Sequence, residues 1–139
     1  MGSLHEWIVP AIFTLVLWGL WGYILKFAGM RLDWREVYFM SSLASFTLAL
    51  MFYLYSKGFS LRLNIYALYA ALAGIMGGLG YLTFMVAVSR GKASIIIPLT
   101  ALYPAITAIL AVLFLGEKLK PTQLLGIILA LIAGILVSI

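Results

Sequence analysis

The side chains best suited to chemistry in this sequence are aromatic rings and hydroxyl groups that lie inside long apolar stretches. They are Trp18, Trp21, Tyr81, Thr100, Tyr103 and Thr107. Rings provide contact area and cation–π attraction, and a few hydroxyls add the hydrogen bonds that orient a ligand. These residue types predict a binding site for a small organic solute that is partly apolar or cationic. The alternative is that the rings fill space between helices, with their N–H and O–H groups satisfied across the bundle.

The fourth apolar stretch, residues 93–115, carries half of these residues and two prolines, Pro98 and Pro104. Its 23 uncharged residues are enough to cross a hydrocarbon core of roughly 30 Å as a helix. Because Pro104 has no N–H, the carbonyl of Thr100 loses its helical donor and needs a partner from protein or a polar cavity. The polar side chains near this carbonyl share one helix face at i, i+3 and i+7 spacing: Thr100, Tyr103 and Thr107. We therefore predict a bend in this helix and a working face beside it.

Equally informative are the side chains that the apolar stretches lack. No Asp, Glu, Lys, Arg or His falls inside any of them, so they offer no carboxylate to carry a proton and no fixed counter-charge for a substrate. The sequence has no cysteine, no P-loop, no HExxH motif and no Ser, His and Asp set that predicts a triad. We predict no catalytic residue, no metal site and no cofactor, and we do not expect an enzyme.

Composition assigns the chain to the membrane. Hydrophobic residues make up 65% of it and charged residues 9%, with a mean hydropathy of +1.18, outside the range of a soluble domain. Five charge-free stretches are long enough to span a bilayer as helices: residues 7–25, 37–55, 65–88, 93–115 and 122–139. Rings near the ends of these stretches, that of Tyr38 among them, are typical of the membrane interface. The prediction is an all-α, five-span membrane domain over residues 1–139.

The nine basic residues lie in the short breaks between these stretches, so the net charge of +5 does not predict a nucleic-acid partner. Five crossings place the two termini on opposite sides. The N-terminal side then receives four basic residues: Lys57, Arg62, Lys118 and Lys120. The other side receives five: Lys26, Arg31, Arg35, Arg90 and Lys92. Five minus four is too small a difference to set one orientation. We predict that the chain inserts both ways; alternatively, one or two charges near the helix ends orient every copy.

Small residues four apart allow helices to approach closely in lipid. The last stretch has such a stripe, formed by Gly126, Ala130 and Gly134, and its polar residues are confined to its ends. We interpret this stretch as a dimer helix. Packing within one protomer explains the same stripe equally well, because small residues at this spacing are common in any membrane bundle.

The sequence from Tyr81 onward resembles that of a known protein family. The resemblance is carried by Gly91, Ala93 and Ser94 at a break, by Pro98 and Pro104, by the LGEKL run of residues 115–119, and by Gln123, Gly126 and Gly134. The first stretch, LWGLWGYILKFAG, contributes as well. Together these residues resemble an EamA domain of the drug/metabolite transporter superfamily, and in particular its small single-domain bacterial and archaeal members.

The resemblance implies that the first, third and fourth helices line a central substrate cavity. Larger family members carry two five-helix units in inverted orientation, so one unit implies that a second copy supplies the other half. The chain is also similar to the small multidrug resistance proteins. It differs from them in having five stretches rather than four and no acid in the first helix, so proton-coupled cation export is not implied.

We therefore expect a transporter of small organic solutes in a prokaryotic plasma membrane. It would work by alternating access as a homodimer, possibly antiparallel, with a cavity at the midplane. The alternative from a different class is a non-transporting membrane subunit that scaffolds or regulates a partner membrane protein.

Overall fold

A computed structural model describes residues 4–56 and 62–138, and the side chains from residue 7 onward within them. Six helices, which make up 85% of the structure, follow one another in the chain. They are α1 (Leu4–Ala28), α2 (Trp34–Tyr55), α3 (Ile65–Arg90), α4 (Ala93–Thr100), α5 (Tyr103–Phe114) and α6 (Pro121–Ser138). The described ranges contain no strand. Lys57, which enters the count of loop charges, lies outside the described residues.

Five apolar spans result from these six helices, because α4 and α5 together form one span over Ala93–Phe114. The predicted all-α, five-span architecture is confirmed. The first three helices extend beyond the charge-free stretches: α1 continues through Lys26, α2 begins before Arg35, and α3 ends at Arg90. Charged side chains at helix ends reach the polar interface while the backbone stays helical.

Side-chain caps explain where two of the helices begin. Asp33 starts α2 with a capping box, in which its carboxylate accepts from the N–H of Arg35 and Glu36 Oε2 accepts from the N–H of Asp33 at 2.8 Å. At the start of α6 one of the two hydrogen bonds of a capping box is present: Gln123 Oε1 accepts from the N–H of Lys120 at 2.8 Å. These contacts satisfy backbone donors that have no partner within their helix.

The LGEKL run ends α5 through one glycine. Gly116 has a φ of +67°, in the left-handed region that side chains other than glycine rarely adopt. This turn lets the N–H groups of Leu115 and Glu117 both donate to the carbonyl of Ala111, at 3.0 and 3.3 Å. Pro121 then opens α6 at a position where its missing N–H costs no hydrogen bond.

Contacts divide the chain into two compact parts, residues 1–89 and residues 90–139. In the first part, the buried side chains Leu25, Val37 and Met85 form a core with exposures of 5%, 4% and 2%. They come from the end of α1, the start of α2 and the end of α3. Near this core, the Lys26 ammonium donates to the Val88 carbonyl at 2.9 Å, an interaction that suits a cation at a helix C-terminus.

In the second part, α4 packs against α6. Gly134 of α6 is buried, and the side chain of Leu102 lies against it. Elsewhere on the described helices, most large apolar side chains are exposed. A bilayer accepts such surfaces because lipid tails are as apolar as leucine.

Candidate functional site

Four aromatic rings form a cluster within residues 1–89. Trp21 of α1 stacks on Phe84 at 5.3 Å between ring centroids and lies 5.6 Å from Tyr81. The Tyr81 ring is 5.2 Å from that of Tyr38 on α2 and 6.5 Å from that of Phe84. These separations are typical of favourable aromatic pairs. Three helices thus meet at one aromatic cluster, in which Tyr81 contacts each of the other three rings.

Hydroxyl groups connect α2 to this cluster. Ser41 Oγ and the Tyr81 hydroxyl form a short hydrogen bond. Ser41 Oγ also lies 2.6 Å from the carbonyl oxygen of Val37, one turn earlier on its own helix. The Tyr38 hydroxyl donates to the Gly78 carbonyl at 3.4 Å, a longer and weaker contact. The Tyr81 ring is therefore positioned by the neighbouring aromatic rings, and its hydroxyl oxygen is positioned by the hydrogen bond with Ser41.

Trp18 lies one turn before Trp21 on α1 and differs from it in burial. Its side chain is 58% exposed, against 39% for Trp21. Thr14, a further turn earlier, donates its hydroxyl proton to the carbonyl of Pro10 at 2.9 Å. This bond from a side-chain hydroxyl to the carbonyl four residues earlier is common for threonine in helices.

The predicted residues of the second part lie on both sides of a break in the fourth span. Thr100 ends α4, whereas Tyr103 begins α5 and Thr107 follows one turn later. The hydroxyl of Thr100 donates to the Ile96 carbonyl at 2.8 Å, and that of Thr107 to the Tyr103 carbonyl at 3.5 Å. Tyr103 is 52% exposed. All three side chains are exposed, and Tyr103 is the one that presents an aromatic ring.

The break itself consists of Ala101 and Leu102. Their backbone angles, φ −66° and ψ 1° for Ala101 and φ −80° and ψ −10° for Leu102, stay near the helical region. Pro104 occupies the first turn of α5, where its missing N–H is tolerated. The sequence interpretation predicted one spanning helix with an irregularity at Pro104 and placed Thr100 and Tyr103 on one face of it. The structure places two residues that belong to neither helix between them, because the ring of Pro104 removes a hydrogen bond of the ladder.

The structure brings two of the predicted site residues together. Trp21 and Tyr81 are in contact, while Thr100, Tyr103 and Thr107 belong to the other compact part of the chain. Sequence reasoning missed the contribution of α2, which consists of Tyr38 and Ser41. A signal was present, since these two residues are three apart and share one helix face. The position of Tyr38 near a helix start favoured an interfacial interpretation of that residue instead.

Among the predicted dimer residues, Gly134 has a packing partner in its own chain. A methyl group on Gly134 would lie within 2.5 to 2.8 Å of the Leu102 side chain. This contact is the packing within one protomer that the sequence left open as an alternative. A methyl group on Gly126 would meet nothing within 4 Å, and Ala130 is exposed. For these two residues the dimer interface remains a prediction.

The described part of the chain contains no group of three or more His, Cys, Asp or Glu residues that could hold a metal ion. What the two sets of residues offer instead is ring faces and hydroxyl oxygens. Such surfaces suit non-covalent binding of an organic solute.

Five apolar spans in an all-helical chain define a multi-pass membrane protein. The family model described as the EamA-like transporter family matches residues 5–139. The chain therefore belongs to the EamA-like transporter family, the family suggested by residues 81–139, and the match extends over all five spans.

Comparison with individual proteins adds one relative. A protein of Methanocaldococcus jannaschii, named only as uncharacterized, is 44% identical over 71 residues, which cover 51% of this chain and 52% of that protein. The match thus spans about half the length of this relative. No solved structure matches the chain significantly.

Proposed function

We propose that this protein carries small organic solutes or metabolites across a prokaryotic plasma membrane, working by alternating access as a homodimer with a binding cavity near the midplane. The observation that carries the proposal is the family match over residues 5–139, since the family is one of membrane transporters. No cofactor or catalytic step is part of this function.

The interrupted fourth span supports the proposal. Transporters bind their substrates at broken helices, because a break exposes backbone carbonyls and helix termini to the cavity. In this chain the break lies between Thr100 and Tyr103. In our proposal Pro104, with Pro98 six residues earlier, lets the span bend, and the polar groups beside the break contact the solute.

The residues proposed to contact the solute are those that the sequence singled out: Trp18, Trp21, Tyr81, Thr100, Tyr103 and Thr107. The exposed rings of Trp18 and Tyr103 would provide contact area. The aromatic cluster around Tyr81 would contribute a polar oxygen among ring faces. Solutes that combine an apolar body with one polar or cationic group fit these side chains best.

An antiparallel homodimer is the assembly we propose, with Gly126 and Ala130 of α6 at its interface. An odd number of spans and the nearly balanced loop charges support it, because two copies in opposite orientations produce the inverted repeats on which many transporters are built. The natural absence of cysteine allows a direct test. Single cysteines in the break at residues 29–33 or 116–120, labelled in intact cells with an impermeant thiol reagent, should each react in about half of the molecules if insertion is dual.

Transport itself is tested by uptake into proteoliposomes that contain only this chain. A panel of radiolabelled amines, amino acids, organic acids and sugars should include at least one solute that accumulates faster than in protein-free vesicles. The matched control is the Tyr103→Ala variant, reconstituted at the same density. If a correctly inserted chain transports no member of the panel, the result contradicts the proposal and favours the alternative, a non-transporting membrane subunit.

A further inference from the structure

We propose that Ser41 is a positioning residue that holds the Tyr81 oxygen as a hydrogen-bond acceptor among three aromatic rings, and that the solute bound there carries a hydrogen-bond donor, most simply an ammonium group. This inference rests on the proposed function and extends it to a chemical class of substrate. It is carried by the direction of the hydrogen bonds around Ser41 and Tyr38.

The direction follows from the neighbours of the Ser41 oxygen. A serine hydroxyl has one proton and two lone pairs. Ser41 Oγ lies 2.6 Å from the Val37 carbonyl and 3.1 Å from the Tyr38 carbonyl, and both of these oxygens can only accept. If the Ser41 proton were directed at Tyr81 instead, two oxygens 2.6 Å apart would face each other with no proton between them. Ser41 therefore donates to its own helix, and Tyr81 donates to Ser41.

This arrangement determines whether the Tyr81 hydroxyl can donate or accept a hydrogen bond from a ligand. Its only proton is used in the bond to Ser41, so the phenolic oxygen presents a lone pair. Tyr38 is in the same state, since its hydroxyl proton is directed at the Gly78 carbonyl. Both tyrosines of the cluster thus act as acceptors toward any further group. A carboxylate or phosphate needs donors, whereas an ammonium group needs acceptors.

The rings favour the same class of ligand. Trp21, Tyr38 and Phe84 surround Tyr81 at centroid distances of 5.2 to 6.5 Å. Their faces carry negative charge density that attracts a cation. The positive groups nearest along the helices are Arg35, three residues before Tyr38, and Lys26, five residues after Trp21. The Arg35 guanidinium lies over the Trp34 ring at 5.4 Å from its centroid, and the Lys26 ammonium donates to the carbonyl of Val88. Val88 lies seven residues after Tyr81, about 10 Å along the helix axis, and the buried core of Leu25, Val37 and Met85 occupies the turns between them.

The experiment compares three probes that share a phenyl ring and a two-carbon chain and differ in the terminal group: phenethylammonium, 2-phenylethanol and 3-phenylpropionate. Binding to the purified full chain in detergent at pH 7 is measured by isothermal titration calorimetry. The expected result is that the ammonium probe binds at least tenfold more tightly than the carboxylate probe, about 1.4 kcal/mol in binding free energy.

Variants then test the role of Ser41. Ser41→Ala removes the acceptor of the Tyr81 proton and frees that hydroxyl to donate, so the preference for the ammonium probe should fall at least threefold. Ser41→Thr keeps a hydroxyl and should restore the preference. Ser45→Ala is the matched control, since Ser45 is exposed, lies one turn later on α2 and donates only to the Ser41 carbonyl.

Three outcomes would overturn the inference: equal binding of the ammonium and carboxylate probes, no binding of any probe, or a full ammonium preference in a folded Ser41→Ala variant. Uptake of the same probes into proteoliposomes separates this inference from the proposed function. Transport without ammonium selectivity would overturn the inference and leave the transporter intact. Selective binding that depends on Ser41, with no uptake of any solute, would overturn the proposed function and retain the binding site.

Discussion

Leu102, in the break between α4 and α5, fills the space beside Gly134 of α6, so closely that a methyl group on the glycine would lie 2.5 to 2.8 Å from its side chain. The break of the fourth span is therefore packed against the last helix of the same chain. This contact gives Gly134 a structural role that does not depend on a dimer. Helices in lipid gain most of their association energy from close packing of this kind.

Gly134→Ala should lower the thermal stability of the protein in detergent, because Leu102 has to shift to make room for the added methyl group. Overpacking of this kind costs about 1–3 kcal/mol. The double variant Gly134→Ala with Leu102→Ala should recover part of the loss, since the smaller side chain leaves space. Gly126→Ala on the same helix meets nothing within 4 Å and serves as the control. Equal melting temperatures for the two glycine variants would contradict the packing role.

Replacing Trp21 should affect stability more than replacing Trp18. Trp21 stacks on Phe84 and contacts Tyr81, so Trp21→Leu loses two ring pairs, each worth about 0.5–1.5 kcal/mol. Trp18 is more exposed, so Trp18→Leu should leave the melting temperature nearly unchanged while weakening solute binding. Thermal unfolding of both variants, followed by far-UV circular dichroism, checks the difference. A larger loss for Trp18→Leu would show that the cluster is not a packing centre.

Tyr103→Ala should weaken binding of a transported solute about tenfold, which corresponds to 1.4 kcal/mol. The half-exposed ring at the start of α5 offers contact surface beside the break. The variant should keep the oligomeric state of the wild type in size-exclusion chromatography. Tyr66→Ala, at the exposed start of α3, is the matched control. Unchanged affinity and uptake in Tyr103→Ala would remove this residue from the site.

Lys26 combines two roles that variants can separate. Lys26→Met removes the hydrogen bond to the Val88 carbonyl, a loss of about 1.5–3 kcal/mol for a charged donor. It also makes the loop charges four on each side. Arg31→Gln changes the charge count equally at an exposed position. Both variants should leave thiol labelling of single-cysteine chains at about half of the molecules, because neither creates a charge bias between the two sides, but only Lys26→Met should lower the melting temperature. Labelling of either variant in one loop only would contradict dual insertion, and equal melting temperatures for the two variants would contradict the stabilising role of the Lys26 hydrogen bond.

Much of the fold was predictable from the sequence because a bilayer restricts what an apolar segment can do. A stretch such as residues 65–88 has to satisfy its backbone hydrogen bonds internally, so length and the absence of charge are enough to predict a helix. The helix ends were less predictable. Lys26 and Arg90 interrupt the apolar pattern, yet α1 continues through Lys26 and α3 includes Arg90 as its last residue, because a charged side chain at a helix end is compatible with helical backbone.

The candidate site, like the fold, was predictable from the sequence only in part. The sequence by itself determined the membrane class, the five spans and the unusual fourth span, since these depend on composition and on the chemistry of proline. The family was indicated by the resemblance of particular motifs in the sequence. Only the tertiary structure decided that Ser41 of α2 holds Tyr81 and that Leu102 packs on Gly134. Each of these pairs joins residues more than thirty positions apart. Spacing along one helix reports which residues share a face, but the partner of that face depends on how the helices pack.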